Sequence, residues 1–385
     1  MNANAEFDLI VYGASGYTGR LVAEHLSQRH GVGGDLKWAM AGRSAEKLAQ
    51  VRDEIGAPAE TPLVVADAGD PASVREMVRR TKAVITTVGP YQLYGSDLVA
   101  ACAEAGTDYL DLCGEPNWMR RMIDAHDAQA KQSGARILFS CGFDSIPFEL
   151  GVYFAQRTAR ERLGGPVPRV KGRVRAIQGG LSGGTAASGK ATMEALQKDP
   201  SQMAVMMSPF GLTPGFEGPP QPPGMAAEED PDVGPVTPFM MAVINTKNVH
   251  RSNLLMGHAY GRDFVYDEMA MGGPGGPATF TDLGVLPGGG PKPGEGPTKE
   301  EREAGFYDLL FLGIAADGRQ VRVSVKGDKD PGYGSTSKML AETAIALVNA
   351  PEVAGGIWTP GAALQDRLVD RLSKHAGLTF EVEAA

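Results

Sequence analysis

Apolar positions along this chain fall into two textures. Near the start, Leu9, Ile10, Val11 and Tyr12 form an unbroken apolar run, and an amphipathic run follows through Leu21, Val22 and Leu26. The first reads as a strand buried on both faces and the second as a helix. The same alternation recurs, with strands at 36–42, 62–67, 82–89, 107–114 and 135–143 and helical stretches between them, including 97–105 and 118–132. Six strands alternating with helices predict an α/β domain over residues 1–150, a Rossmann-type doubly wound parallel sheet.

Beyond Gly151 the texture changes. The run Arg169-Val170-Lys171-Gly172-Arg173-Val174-Arg175 alternates charge with small or apolar residues, which predicts a strand of an antiparallel sheet with one wet face. Residues 200–296 are rich in Pro, Gly and Met, with loops at "GPPQPPG" and "GGGPKPGEG". Two alternating runs, 307–314 and 319–326, flank Ala316-Asp317-Gly318 and predict a hairpin. Ser335 or Thr336 is placed to cap a helix running through Leu347, and a last helix spans 364–375. These elements predict a second, α+β domain over 151–330, and C-terminal helices over 331–385 that return to the first.

Composition narrows the partners. The 385 residues carry a net charge of −9, and Lys and Arg do not cluster in the way a phosphate backbone demands, which argues against nucleic acid as a ligand. No basic segment followed by an apolar one opens the chain, and no later stretch is long and apolar enough to span a bilayer; a cytoplasmic protein without a transmembrane segment is expected. Cys102, Cys113 and Cys141 lack metal-ligand spacing and the six histidines include no tight pair, so no metal site is expected.

Three glycines, Gly13, Gly16 and Gly19, separate the first strand from the first helix in the stretch "YGASGYTG". This turn, with Ser15, Tyr17 and Thr18, leaves backbone N–H groups and the positive end of a helix dipole aimed at one spot, which suits a pyrophosphate. Where NAD-binding sheets end their second strand in an acid, this chain has Arg43-Ser44. A cation and a hydroxyl suit a 2′-phosphate, so NADP(H) is favoured over NAD. Asp67, at the end of the third strand, either lies near the adenine or caps the next helix.

Residues after strands four and six should approach the reacting end of the cofactor. Gly89 opens one such segment, and Tyr91 and Tyr94 in it are candidates to donate a proton or steady an oxyanion, against the alternative that each is a packing residue. In the other segment Cys141 reads as a small buried residue and Asp144-Ser145-Ile146-Pro147 as a helix start. The segment "GGLSGGTAASG" (179–189) reads either as a substrate cradle or as a hinge.

The blocks "YGASGYTG", "AGRS", "TVGPY", "YLDLCGE", "FDSIP", "GGLSGGTAAS", "DPGYGSTSKML" and "GGIWTPGAAL" together resemble the saccharopine dehydrogenase-like oxidoreductases, in particular the trans-acting enoyl reductase branch. The resemblance implies an NADP-type domain carrying Gly13, Ser15, Gly16, Tyr17, Thr18, Gly19, Arg43 and Ser44, joined to an α+β substrate domain. It also implies an NADPH-dependent reductase of the activated C=C bond of an apolar, carrier-bound or CoA-linked acyl substrate. Methionines between Met203 and Met271 suit an adaptable apolar pocket or else core packing. A saccharopine-type amino-acid dehydrogenase and a non-catalytic NADP-binding sensor or scaffold stay open as alternatives, and so does a homodimer.

Overall fold

The computed structural model describes residues 5–180, 183–272 and 294–384. In the first half, strands β1 (Phe7–Tyr12), β2 (Trp38–Gly42), β3 (Leu63–Val65), β4 (Thr81–Thr86), β5 (Asp108–Leu110) and β6 (Arg136–Leu138) alternate with helices. These helices are α1 (Tyr17–His30), α2 (Ala45–Glu54), α3 (Pro71–Arg79), the single turn α4 (Tyr91–Tyr94), α5 (Ser96–Ala105), α6 (Pro116–Ser133) and α7 (Ile146–Leu163). The second half contains β7 (Arg169–Gln178), α8 (Gly183–Lys198), α9 (Met203–Met207), β8 (Glu228–Asp230), β9 (Gly234–Pro238), α10 (Ala242–Leu255), β10 (Val265–Met271), α11 (Lys299–Ala304), β11 (Phe306–Ile314) and β12 (Gln320–Gly327). Last come α12 (Thr336–Val348), β13 (Gly356–Trp358), α13 (Pro360–His375) and β14 (Leu378–Glu383).

Sheet one is parallel, in the order β13-β6-β5-β4-β1-β2-β3. Its strands are buried on both faces, which is why they read as continuous apolar runs. Leu9 and Val11 of β1 enter one core, while Ile10 and Tyr12 enter another on the opposite face. The sheet is therefore doubly wound. Its seventh strand, β13, comes from the C-terminal segment, where the sequence predicts helices alone.

Sheet two runs β14-β12-β11-β7-β10-β9-β8. β11 and β12 form the expected hairpin, whereas β7 is antiparallel to β11 and parallel to β10, so the sheet is mixed. The core containing Leu9 and Val11 continues through Phe148 and Leu340 to Val170, Phe311 and Val323 of this sheet. Helix α7 makes that continuity possible: a Cβ on Gly151 would stand 2.1 Å from the Phe311 ring, so only glycine lets the helix lie this close to β11.

The wet face expected of β7 is corrected by the structure. Arg173 is buried and ion-paired to Asp230 and Asp267 at 2.7 and 2.9 Å. Lys171 meets Asp230 and Asp232, Arg175 meets Asp308 and Glu383, and Arg169 meets Asp267. The strand's alternation is that of a cation row facing carboxylates on neighbouring segments, which one strand's sequence cannot reveal. Among the described residues no helix is long and apolar enough to cross a membrane.

A second buried pair fastens the C-terminal return. Arg136 of β6 donates from Nε to Asp108 Oδ1 of β5 at 2.9 Å and from Nη1 to the Ala350 carbonyl that precedes β13. Both side chains are solvent-inaccessible, so removing one leaves an uncompensated charge. Asp108→Asn should cost about 3 kcal/mol in urea unfolding, and Asp108→Leu combined with Arg136→Met should recover most of the loss. Burial raises Asp230, but Lys171 and Arg173 outweigh it and hold the carboxyl down to about 2. A depressed carboxyl contributes stability that is present above its ordinary value and lost as pH falls through the folded one. Wild-type stability should therefore fall between about pH 4 and 2, and Asp230→Asn should be less stable at neutral pH with a shallower decline over that window.

Candidate functional site

The glycine turn is built by contact. Gly13 (φ +90°) donates its N–H to the Ala41 carbonyl of β2 at 2.9 Å, and Gly16 donates back to the Gly13 carbonyl at 2.9 Å. A Cβ on Gly19 would stand 2.1 Å from the Gly13 oxygen, so α1 can sit on the turn only with glycine there. Gly16 is the N-cap of α1 and no side chain caps it. Both Gly16 and its neighbour Ser15 are exposed. First-turn N–H groups left without a side-chain acceptor fit a phosphate group.

Arg43 stands exposed after β2, and Gly42 just before it is close enough that an added Cβ would lie 3.4 Å from Ser15 Oγ. The turn and the cation thus share one edge of the sheet. Ser44 accepts from the Lys47 N–H at 3.2 Å and caps α2. Asp67 closes a local turn by accepting from Gly69 N–H at 2.9 Å, while Asp70 is the cap of α3. Tyr17 turns its ring away from the turn: its hydroxyl donates to the Pro297 carbonyl and accepts from Arg302 Nη1 at 3.0 Å. Thr18 lies half-buried beside it.

Beyond β4, the exposed Gly89 leads into the single turn α4. Here Tyr91 and Tyr94 part company. Tyr91 is buried, stacks on Trp118 at 5.7 Å, donates its hydroxyl to the Thr86 carbonyl at 3.3 Å and accepts from Leu112 N–H at 3.4 Å. Tyr94 is 49% exposed and Leu93 beside it 62%. The orientation is set by Glu115, a residue of "YLDLCGE" to which sequence reasoning assigned no role: its carboxylate accepts from the N–H groups of Tyr91 and Gln92, both at 2.9 Å. Gln92 in turn donates to Thr192 Oγ1 of α8 at 3.1 Å, tying the α4 turn to the second half of the chain.

Beyond β5 and β6, buried acids are held by their neighbours. Asp111 accepts from Tyr109 Oη, Cys113 N–H and Ser140 N–H, yet burial pushes its carboxyl up to about 7. Glu149 accepts from Ser252, Gly361 and Ala362, and burial likewise lifts it to about 7. Asp144 is half-buried in the turn between β6 and α7, and burial raises it to about 6. The expected cap at this helix start is corrected: Ser145 occupies the N-cap but makes no cap bond, accepting instead from Asn248 Nδ2 of α10. Ser335 also makes no cap bond; Asp330, accepting from Tyr333 and Gly334, orders the start of α12. Cys102, Cys113 and Cys141 are buried free thiols that burial pushes up, far from the thiolate form. Among the described residues no group of three or more His, Cys, Asp or Glu could hold a metal ion. Part of the segment 179–189, and most of "GGGPKPGEG", lie outside the described residues.

Comparison with known proteins gives this arrangement a family. Residues 9–138 match the saccharopine dehydrogenase NADP binding domain. A Mycobacterium tuberculosis protein provisionally named a trans-acting enoyl reductase is 38% identical over 98% of this chain and 97% of its own. Proteins named trans-acting enoyl reductase from Mycobacterium ulcerans and Mycobacterium bovis are 36% identical over 96% of both chains. In fold alone, the chain is similar to apo histidine-tagged saccharopine dehydrogenase (L-Glu forming) from Saccharomyces cerevisiae, with a TM-score of 0.51 at 11% identity over 98% of this chain and 100% of that one. With the family match over residues 9–138 and relatives over nearly its whole length, the chain belongs to the trans-acting enoyl reductase family of saccharopine dehydrogenase-like, NADP-dependent oxidoreductases.

Proposed function

We propose that this protein reduces the activated C=C bond of an apolar acyl chain. The observation that carries the reading is the likeness over nearly the full chain to proteins named trans-acting enoyl reductase. NADPH supplies the hydride, and this chain's residues bind and orient. The N–H groups at the start of α1 would hold the pyrophosphate, and Arg43 the 2′-phosphate. Tyr94, exposed on α4, would donate a hydrogen bond to the carbonyl oxygen as charge gathers there. Tyr91, clamped by Glu115, positions that turn.

The surroundings of α4 suit an apolar substrate. Leu93 of α4 and Met193 of α8, the helix that packs on α4, are exposed apolar residues. Of the methionines noted in the sequence, Met203, Met207, Met225 and Met240 are exposed, whereas Met269 is fully buried in β10. Such flexible apolar side chains fit a long acyl chain, free or bound to a carrier. An amino-dicarboxylate, by contrast, needs free cations for its carboxylates. Arg169, Lys171, Arg173 and Arg175 are each already paired.

Arg43→Ala should raise the Kd for NADPH at least about 10-fold while changing that for NADH by less than about twofold, as expected when one charge-assisted contact to the 2′-phosphate is lost. Fluorescence titration with both nucleotides measures this, and equal losses would remove the role given to Arg43. NADPH oxidation at 340 nm with α,β-unsaturated acyl thioesters of increasing chain length should show turnover that rises with length and falls in Tyr94→Phe. Turnover confined to an amino acid paired with a 2-oxo acid would replace the enoyl reading.

A further inference from the structure

Four carboxyl groups lie in or just after the segments that follow β5 and β6, and three of them are committed. Asp111 takes three hydrogen bonds, Glu115 takes two backbone N–H groups, and Glu149 holds the start of α13. Asp144 makes no hydrogen bond or ion pair with any described residue. A partly enclosed carboxyl that no described residue holds is free to meet a ligand.

Its backbone is fixed on both sides. Phe143 N–H donates to Thr336 Oγ1 of α12 at 2.9 Å, and the Phe143 ring packs on Tyr307 and Phe148. Ser145 Oγ accepts from Asn248 of α10, and the N–H groups of Ser145 and Ile146 both reach the Gly142 carbonyl. Asp144 thus sits between two anchored neighbours, beyond the carboxyl end of β6, where a doubly wound sheet presents its ligand to the reacting side chains.

Building on the enoyl-reducing function above, we propose that Asp144 is the proton donor of the reduction, delivering a proton to the α-carbon of the acyl chain. The nicotinamide is oxidised as its hydride goes to the β-carbon. The electron pair of the former C=C bond takes the proton from Asp144, breaking its O–H bond as the α-C–H bond forms, and the carboxylate left behind regains a proton from water. Enclosure raises the carboxyl to about 6, which leaves an acid able both to give up and to recover its proton near neutrality. The ionisable groups on the elements packed around this loop include Asp111 and Cys113 after β5, Cys141 within the loop, Glu149 on α7, Lys247, His250 and Arg251 on α10, Tyr307 on β11, Asp330 before α12, and Lys338 and Glu342 on α12. Most are held elsewhere: Tyr307 Oη pairs with Ser335 Oγ, Lys247 Nζ donates to the Val243 carbonyl, Arg251 donates to the Leu212 and Ile357 carbonyls, Asp330 accepts from Tyr333 and Gly334, and Glu342 meets His25, Arg29 and Arg371, while burial lowers His250 to about 3 and keeps it neutral.

The test uses Asp144→Asn, which keeps the shape and should not lower the thermal midpoint. Two readouts apply: turnover of an α,β-unsaturated acyl thioester, and the ratio of the Kd values for NADPH and NADP+ titrated from pH 5 to 8. In wild type, NADP+ should gain on NADPH as pH rises through about 6, because the ionised carboxyl attracts the positive ring. In Asp144→Asn this step should vanish and kcat should fall about 100-fold or more with NADPH affinity held. If wild type turns over and Asp144→Asn matches it, the proton-donor role is overturned and the enoyl reading stands. If wild type turns over no enoyl thioester, the enoyl reading fails by itself and the Kd ratio decides for Asp144: a step lost in the variant supports its place beside the ring, and a flat ratio in both proteins overturns it. A thermal midpoint lowered together with an unchanged ratio step assigns Asp144 a structural role and overturns the proposal as well.

Discussion

There is room for a hydrogen and nothing more between the α-carbon of Gly19 and the carbonyl of Gly13. The geometry around the glycine turn depends on that steric constraint. Because α1 can settle onto the turn, its first N–H groups face outward and Ser15 lies beside the end of β2. Tyr17 is carried to the far side, where Arg302 and Pro297 take its hydroxyl. An ordinary side chain at residue 19 would lift the helix and disperse all three arrangements.

The parallel sheet was legible because each of its central strands is buried on both faces and is followed by punctuating glycine or proline. The glycine turn was legible for the same reason that it works: close approach demands residues without side chains, and that demand is local. What escaped is non-local. Glu115 and Asp144 lie in stretches whose local features point to a loop and a helix cap; only the folded chain shows that one carboxylate grips α4 and the other is left unpaired. The cation row of β7 looked solvated because its acids come from residues 230, 232, 267, 308 and 383. Tyr91 and Tyr94 are three residues apart, and nothing in that spacing says which faces outward; the clamp on Tyr91 decides it.

The same distinction orders the energetics. Carboxyls of this chain that are satisfied hold elements together. Buried Glu342 on α12, for instance, lies 2.8 Å from His25 Nε2 and 3.3 Å from Arg29 Nε of α1, and 2.7 Å from Arg371 of α13. Removing a member of such a cluster exposes a buried charge with no compensation. Asp144 differs: no described residue satisfies its carboxyl, and it fastens no element to another.

The last thirty residues lay β13 on the edge of the first sheet and β14 on the edge of the second. One stretch of chain therefore guards two edges at once: were it to detach, the outer backbone groups of β6 and β12 would both lose their partners and stand open to pairing with other chains.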